Sequence, residues 1–124
     1  MTWQQSSNFL LIHRCRFAKD AIRRAPQNES SWNYLRGLVR RTNKPWSSIV
    51  DVALEFASVD EPERIRSTHA LDVLAEVYAA DAATRDRARI ALDLLATKYD
   101  PIRANYWNYR QATMDSAKRP MPSY

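Results

Sequence analysis

Pro26-Gln27-Asn28-Glu29-Ser30-Ser31-Trp32-Asn33-Tyr34-Leu35-Arg36-Gly37 is the stretch that decides the fold. Pro26 ends any helix that precedes it, because its ring removes a backbone donor and clashes with the turn before. Asn28 is placed to accept from the free amides of a new first turn as an N-cap. Beyond that cap, Trp32, Leu35, Leu38 and Val39 recur at three- and four-residue spacing, which lines them along one stripe of a helix. The segment reads as the turn of a helical hairpin, with Trp32 as a buried wedge between stacked hairpins. Gly37 falls mid-helix, where glycine costs about 1 kcal/mol relative to alanine, and is expected to permit close backbone packing at that crossing.

The rest of the chain extends the same pattern. Its 124 residues suit one domain, in which roughly two-thirds of the unfolded surface would be buried. Gly37 is the single glycine, against an average near 7 per cent, so the backbone has almost no left-handed positions for strand hairpins. Helix formers are plentiful, and no period-two alternation bounded by turn residues occurs. The expected fold is all-α: antiparallel helical hairpins, each unable to bury its own face, stacked as an α-solenoid.

About six helices are predicted, the first from Arg16 to Ala25 and the second from Glu29 to Arg41. Asn43-Lys44-Pro45 breaks the pattern, and Pro45 suits the first turn of a third helix with Trp46, Ile49, Val50, Ala53, Leu54 and Phe56 on its apolar face. An acidic loop, Val59 to Glu63, follows. The fourth helix, Ser67 to Ala80, is expected to bury Ala70, Leu71, Leu74, Val77 and Tyr78; the fifth, Thr84 to Lys98, to bury Ile90, Ala91, Leu94 and Leu95. Asp100-Pro101 supplies a cap and a first-turn proline to the sixth, where Ile102, Tyr106, Tyr109 and Thr113 share a face and Trp107 lies off it. Pro26 precedes Trp32-Asn33-Tyr34 by the interval at which Pro101 precedes Trp107-Asn108-Tyr109. The echo is read as coincidence, because Pro26 precedes its helix while Pro101 is expected inside one.

Several function classes are disfavoured. The net charge is +5, but acids are interspersed with bases, as in Arg85-Asp86-Arg87, and no reading motif for nucleic acid occurs. Arginine outnumbers lysine about four to one, which suits protein interfaces better than a polybasic tail does. The apolar run Phe9 to Ile12 is too short for a signal-peptide core or a membrane span, so a soluble, cytoplasmic chain is expected. Cys15 is the single cysteine, and with His13 makes a lone His-x-Cys far from His69. A zinc site needs about four ligands, so neither metal binding nor a cysteine nucleophile is expected. A Gly-rich phosphate loop is excluded outright.

Read with Asp100 to Arg110, the opening stretch resembles a known family. It looks like the C-terminal part of the α subunit shared by protein farnesyltransferase and geranylgeranyltransferase type I, a prenyltransferase α-repeat protein. Pro26, Asn28, Glu29, Ser30, Trp32, Asn33, Tyr34, Leu35 and Gly37 match the pattern of that family's last repeat. Asp100, Ile102, Arg103, Tyr106 and Trp107 match the pattern of its final helix. The resemblance spans about Phe17 to Arg110. It implies a helical repeat domain over 17–114, an unassigned segment over 1–16 and a disordered tail over 115–124.

The resemblance further implies a heterodimeric protein prenyltransferase that transfers a farnesyl or geranylgeranyl group to the C-terminal cysteine of client proteins. Its β subunit would hold the zinc, with magnesium assisting, and would select the isoprenoid from its prenyl diphosphate and bind CaaX-type proteins. The α subunit's catalytic lysine and the Trp-x-x-Arg repeats lie upstream of the matched part, and Leu35 stands where those repeats carry arginine. This chain is therefore expected to scaffold the β subunit, with no catalytic, cofactor or metal residue of its own. Asn33, Arg36, Trp107 and Tyr109 are the candidates for the partner interface. Pro26, Asn28, Trp32, Gly37, Asp100, Ile102 and Tyr106 are the candidates for structural roles. Met1 to Arg16 match nothing in the family, so the chain reads as a truncated homologue, or one whose gene model begins in the wrong place. Truncation predicts a raw apolar face near Phe17, Ala21 and Ile22. The other reading of the residues is a free-standing α-solenoid interaction module with no enzyme partner.

Overall fold

The computed structural model describes residues 3–42 and 47–116. Six α-helices carry the fold: α1 Trp3–Arg24, α2 Glu29–Thr42, α3 Ser47–Phe56, α4 Thr68–Ala79, α5 Arg85–Leu94 and α6 Ala104–Ser116. Short 3₁₀ turns at Pro62–Arg64, Ala82–Thr84 and Pro101–Arg103 and a π turn at Leu95–Tyr99 complete the regular structure, and no strand occurs among the described residues.

Consecutive helices pack as antiparallel hairpins, and their charges record how the hairpins stack. Lys19 pairs with Asp51 at 3.1 Å and Arg23 with Glu55 at 2.8 Å, both across 32 positions. A constant offset means that α1 and α3 run parallel in register. Arg36 pairs with Asp72 at 3.1 Å and Arg40 with Glu76 at 3.5 Å, which gives the same relation between α2 and α4. The first two hairpins thus stack helix on helix, as a solenoid requires.

One apolar core runs through the stack. It takes Ala18 and Ile22 from α1, Trp32, Leu35 and Val39 from α2, and Ile49, Val52 and Ala53 from α3. Central α4 is buried over a wide arc, through Ala70, Leu71, Val73, Leu74 and Ala75, because α3 and α5 pack against it from two sides. Ala91, Leu92, Leu95, Ala96 and Trp107 close the far end.

The boundaries and burial differ from expectation at four places. The first helix begins at Trp3 and passes residue 16 without a break. In α3 the buried stripe is Ile49, Val52 and Ala53, with Leu54 exposed; the expected Pro45 and Trp46 lie outside the described residues, as does the tail from residue 117. In α5 Ile90 is exposed and Leu94 half-buried, while Ala88, Ala91, Leu92 and Leu95 face α4. Small alanines sit on the inner side there because the two helices pack closely, so Ala91 and Leu95 are buried as expected while Ala88 and Leu92 take the inner places expected for Ile90 and Leu94. In α6 and the turn before it the stripe Ile102, Tyr106, Tyr109 points outward, with Ile102 96% exposed, and Trp107 and Met114 are the buried residues.

Gly37 also departs from expectation. A methyl group added at its Cα meets nothing within 4 Å, so no close approach requires glycine. Gly37→Ala is expected to stabilise the chain by about 0.5–1 kcal/mol, the propensity gain in a helix interior, read as a higher midpoint in urea unfolding.

The carboxylate of the Arg23–Glu55 pair responds to pH. The Arg23 guanidinium hydrogen-bonds Glu55 and lowers its pKa below the unfolded value of 4.5. A lowered folded pKa gives stability that is complete above the unfolded value and lost as pH falls through the folded one. Both side chains are more than one-third exposed, so screening holds the contribution below about 1 kcal/mol. Urea midpoints from pH 7 to pH 3 should fall less for Glu55→Gln than for the parent, and 0.5 M salt should shrink the difference.

Candidate functional site

Two tryptophans organise the part of the molecule where α2, α4 and α6 meet. Each stands fourth in its helix, Trp32 in α2 and Trp107 in α6, and each is 1% exposed. The Trp32 indole N–H donates to the Pro26 carbonyl at 2.8 Å, closing onto the turn that precedes its own helix. The Trp107 indole N–H donates to Asp100 Oδ2 at 3.2 Å, closing onto the turn before α6. Pro101 lies in that 3₁₀ turn and not in the α-helix, so the two tryptophans share one helical depth and the sequence echo is structural.

The Pro26 turn is stitched to the next hairpin. Its carbonyl also accepts from the Ser67 hydroxyl at 2.6 Å, and Ser67 Oγ in turn accepts from the Ala70 amide as the N-cap of α4. Gln27 Oε1 takes the Thr68 amide at 3.3 Å. Asn28 Oδ1 accepts from the Ser30 amide at 3.1 Å, which is the cap expected for α2. Ser67 is buried and serves two elements at once, so Ser67→Ala should cost about 1–3 kcal/mol, measured by chemical unfolding, against about 1 for an ordinary cap.

Between these tryptophans runs a ladder of charge. Asp72 accepts from both Arg36, at 3.1 Å, and Arg110, tying α4 to α2 and α6; Glu76 faces Arg36 at 3.6 Å and Arg40 at 3.5 Å. Burial opposes the charge of Arg110, but Asp72 more than offsets it and holds the guanidinium above its ordinary pKa. Arg110 lies 5.4 Å from the Trp107 ring centroid and 5.7 Å from that of Tyr106, and Arg103 lies 5.1 Å from Trp107. Asp100 makes no backbone cap; its carboxylate instead holds Arg103 at 2.6 Å.

The ladder forms one wall of a cleft of about 460 Å³. Glu29, Asn33 and Arg36 line it from α2, His69 and Asp72 from α4, and Arg103 and Tyr106 from the entry to α6. Both signs of charge face the space, and each carboxylate in the ladder is already committed to a guanidinium. Tyr106 belongs both to the cleft and to the exposed stripe formed with Ile102 and Tyr109, so a polar groove and an aromatic ridge are continuous. An aromatic ridge flanked by arginines has the composition of a protein-binding hot spot. Cys15 packs against the core from α1, and no group of three or more His, Cys, Asp or Glu side chains that could hold a metal occurs among the described residues.

The structure divides the residues singled out from sequence. Asn33 is exposed at the cleft and Tyr109 is 65% exposed on the ridge, whereas Arg36 is engaged by Asp72 and Glu76 and Trp107 is sealed in the core. Ile102 and Tyr106, expected on a packed face, form the ridge with Tyr109. Asp72, Glu76, His69, Arg103 and Arg110 were not anticipated. A signal for the first two was present: Arg36 and Arg40 repeat at four-residue spacing, as do Asp72 and Glu76, which marks two helix faces of opposite charge.

A family model described as the protein prenyltransferase alpha subunit repeat matches residues 15–42. The chain is 36% identical over 100 residues to the protein farnesyltransferase/geranylgeranyltransferase type-1 subunit alpha of Candida albicans, covering 81% of this chain and 32% of that protein. It is 30% identical over 109 residues to the protein of the same name in Dictyostelium discoideum, covering 85% of this chain and 33% of that one. Among solved structures, Candida albicans protein geranylgeranyltransferase-I complexed with GGPP contains a chain that superposes with a TM-score of 0.78 at 32% identity, over 84% of this chain and 34% of that one. The chain spans about a third of the length of the curated relatives it matches.

Proposed function

Since this chain belongs to the protein prenyltransferase α-subunit family, we propose that it scaffolds the β subunit of a heterodimeric protein prenyltransferase acting in the cytoplasm. The holoenzyme joins the C-terminal cysteine sulfur of a CaaX-type client to the first carbon of a farnesyl or geranylgeranyl chain, with diphosphate as the leaving group. The observation that carries the reading is the ridge of Ile102, Tyr106 and Tyr109. It is largely apolar and exposed, with Ile102 96% and Tyr109 65% accessible, although the opposite side of the same helix is sealed by Trp107.

The chemistry belongs to the partner. Among the described residues no group of three or more His, Cys, Asp or Glu could hold a metal, and the family's zinc and magnesium are assigned to the holoenzyme. No described helix is long and apolar enough to cross a membrane. What this chain's own residues do is hold a surface in shape: the Trp107 indole holds α6 to its entry turn, Asp72 ties α6 to α4 through Arg110, and the ridge is presented on the outer side.

Co-expression of the tagged chain with a farnesyltransferase β subunit tests this. The β subunit should co-purify, and Tyr109→Asp with Ile102→Asp should reduce recovery at least tenfold while leaving the circular dichroism spectrum unchanged. A folded chain that retains no β subunit would sink the proposal and leave the free-standing interaction module as the reading.

A further inference from the structure

The raw apolar face expected at the first hairpin shrinks to Phe17, 66% exposed, because Ile22 turns inward and is buried. The exposed side chain with the most definite chemistry stands elsewhere, at the entry to α6. Two arginines flank Trp107 there, Arg103 at 5.1 Å and Arg110 at 5.4 Å from its ring centroid. Arg110 is already engaged: Asp72 holds it, and 20% of its side-chain surface remains accessible. Arg103 is held as firmly but not covered. Asp100 accepts from its Nε at 2.6 Å, Trp107 supports its guanidinium, and 52% of the side chain stays exposed. Among the described residues it bonds through Nε alone, so the edge that carries both terminal nitrogens is open.

A guanidinium fixed on one side and open on the other is prepared for a ligand. The rotamer freedom that an arginine ordinarily loses on binding is here lost in advance. Its open edge presents two parallel N–H groups, the geometry a carboxylate accepts bidentately. Charge points the same way. The network around Asp72 sets Arg36, Arg40, Arg103 and Arg110 against Asp72, Glu76 and Asp100, four cations against three anions. Glu29, on the α2 wall of the cleft, is exposed and joins none of these pairs. One carboxylate from outside completes the network.

The surroundings define what can reach it. Arg103 and Tyr106 line the cleft from the α6 side, and Tyr106 continues into the ridge with Ile102 and Tyr109. The cleft opens across the row in which the ladder joins α2, α4 and α6, at offsets of 36 and 38 positions. Hairpins stacked on such a row extend it at its ends and leave this side open.

We infer that Arg103 anchors the β-subunit contact: its open edge takes the carboxylate of an Asp or Glu of that subunit, on a segment whose apolar side chains cover Ile102 and Tyr106. This rests on the scaffolding role proposed above and names the chemistry of that surface. An arginine stacked on one aromatic and bordered by others, with water excluded by an apolar rim, is the composition of a hot spot.

The test uses the tagged chain co-expressed with the farnesyltransferase β subunit and washed at 0.05 M and 0.5 M NaCl. Arg103→Gln is expected to lower β-subunit recovery at least tenfold at low salt, and the remainder should no longer respond to salt; a merely structural role would leave the salt response as it is in the parent. Arg103→Lys keeps the charge and supplies an amine. A water-soluble carbodiimide should then form an amide bond between position 103 and an Asp or Glu of the β subunit, mapped by mass spectrometry. Asp100, the acceptor of the Trp107 indole, is untouched in both variants, so their circular dichroism should match the parent. Undiminished recovery with Arg103→Gln, or a cross-link that forms only to Asp100 of the same chain, overturns the inference and leaves the scaffolding role standing. A parent chain that retains no β subunit overturns both.

Discussion

Trp32→Ala is expected to destabilise the chain by about 3–5 kcal/mol, a large share of the about 5–15 kcal/mol that separates folded from unfolded states in a domain of this kind. The side chain is 1% exposed and sits in the core shared by the first two hairpins. Its removal leaves a cavity that the helices cannot collapse into, because Pro26, Ser67 and the α4 cap are tied at its rim. It also takes one of the two donors from the Pro26 carbonyl. Trp32→Phe separates these effects: it keeps most of the volume but not the N–H, and should cost about 1–2 kcal/mol. Urea unfolding followed by far-ultraviolet circular dichroism is the measurement. A cost for Trp32→Ala below about 1 kcal/mol would refute the wedge role.

Asp72→Ala is the second large effect, at about 2–4 kcal/mol. It takes from Arg36 and Arg110 the carboxylate both guanidiniums share, leaving Arg36 only Glu76. Breaking a fully buried pair by removing one partner costs about 3–5 kcal/mol; the value expected here is lower because Asp72 and its two arginines keep between 14% and 20% of their side-chain surface in contact with solvent. Arg36 would keep only Glu76, at 3.6 Å, and its Nε is already buried without a partner. A double-mutant cycle with Arg36→Met tests the assignment. Coupling of about 1–3 kcal/mol is expected, and additive losses would mean that the ladder is not a unit. Loss of the ladder should also loosen α6 and so weaken β-subunit recovery, whereas Gly37→Ala should not.

Both predictions draw on features that the sequence displays unevenly. The Pro26 turn, the Asn28 cap and the Trp32 stripe were legible because they are local: a proline, a cap and a period of 3.6 act within a dozen residues. The family was legible on the same grounds, through residues 26–37 and 100–107. The candidate site was legible only in part. Asn33 and Tyr109 are exposed, and Trp107, whose aromatic character suits a core or an interface equally, lies in the core, while the stripe of Ile102, Tyr106 and Tyr109 lies outside. A helix apolar over a wide arc has no single inner face until something packs on it.

The sequence by itself determined that the chain is helical, where most of its helices lie, and which family it belongs to, because caps, prolines and apolar spacing are short-range properties. The pairing of charges was also written there, in the four-residue steps of Lys19 and Arg23, Arg36 and Arg40, Asp51 and Glu55, and Asp72 and Glu76. Only the tertiary structure decided which steps meet, since the constant offsets of 32 and 36 positions follow from the rise and turn of whole hairpins. It also decided which side of α5 and α6 is core. Packing against α4 selects the alanine face of α5 and Trp107 of α6, and what remains outward becomes the surface available to partners.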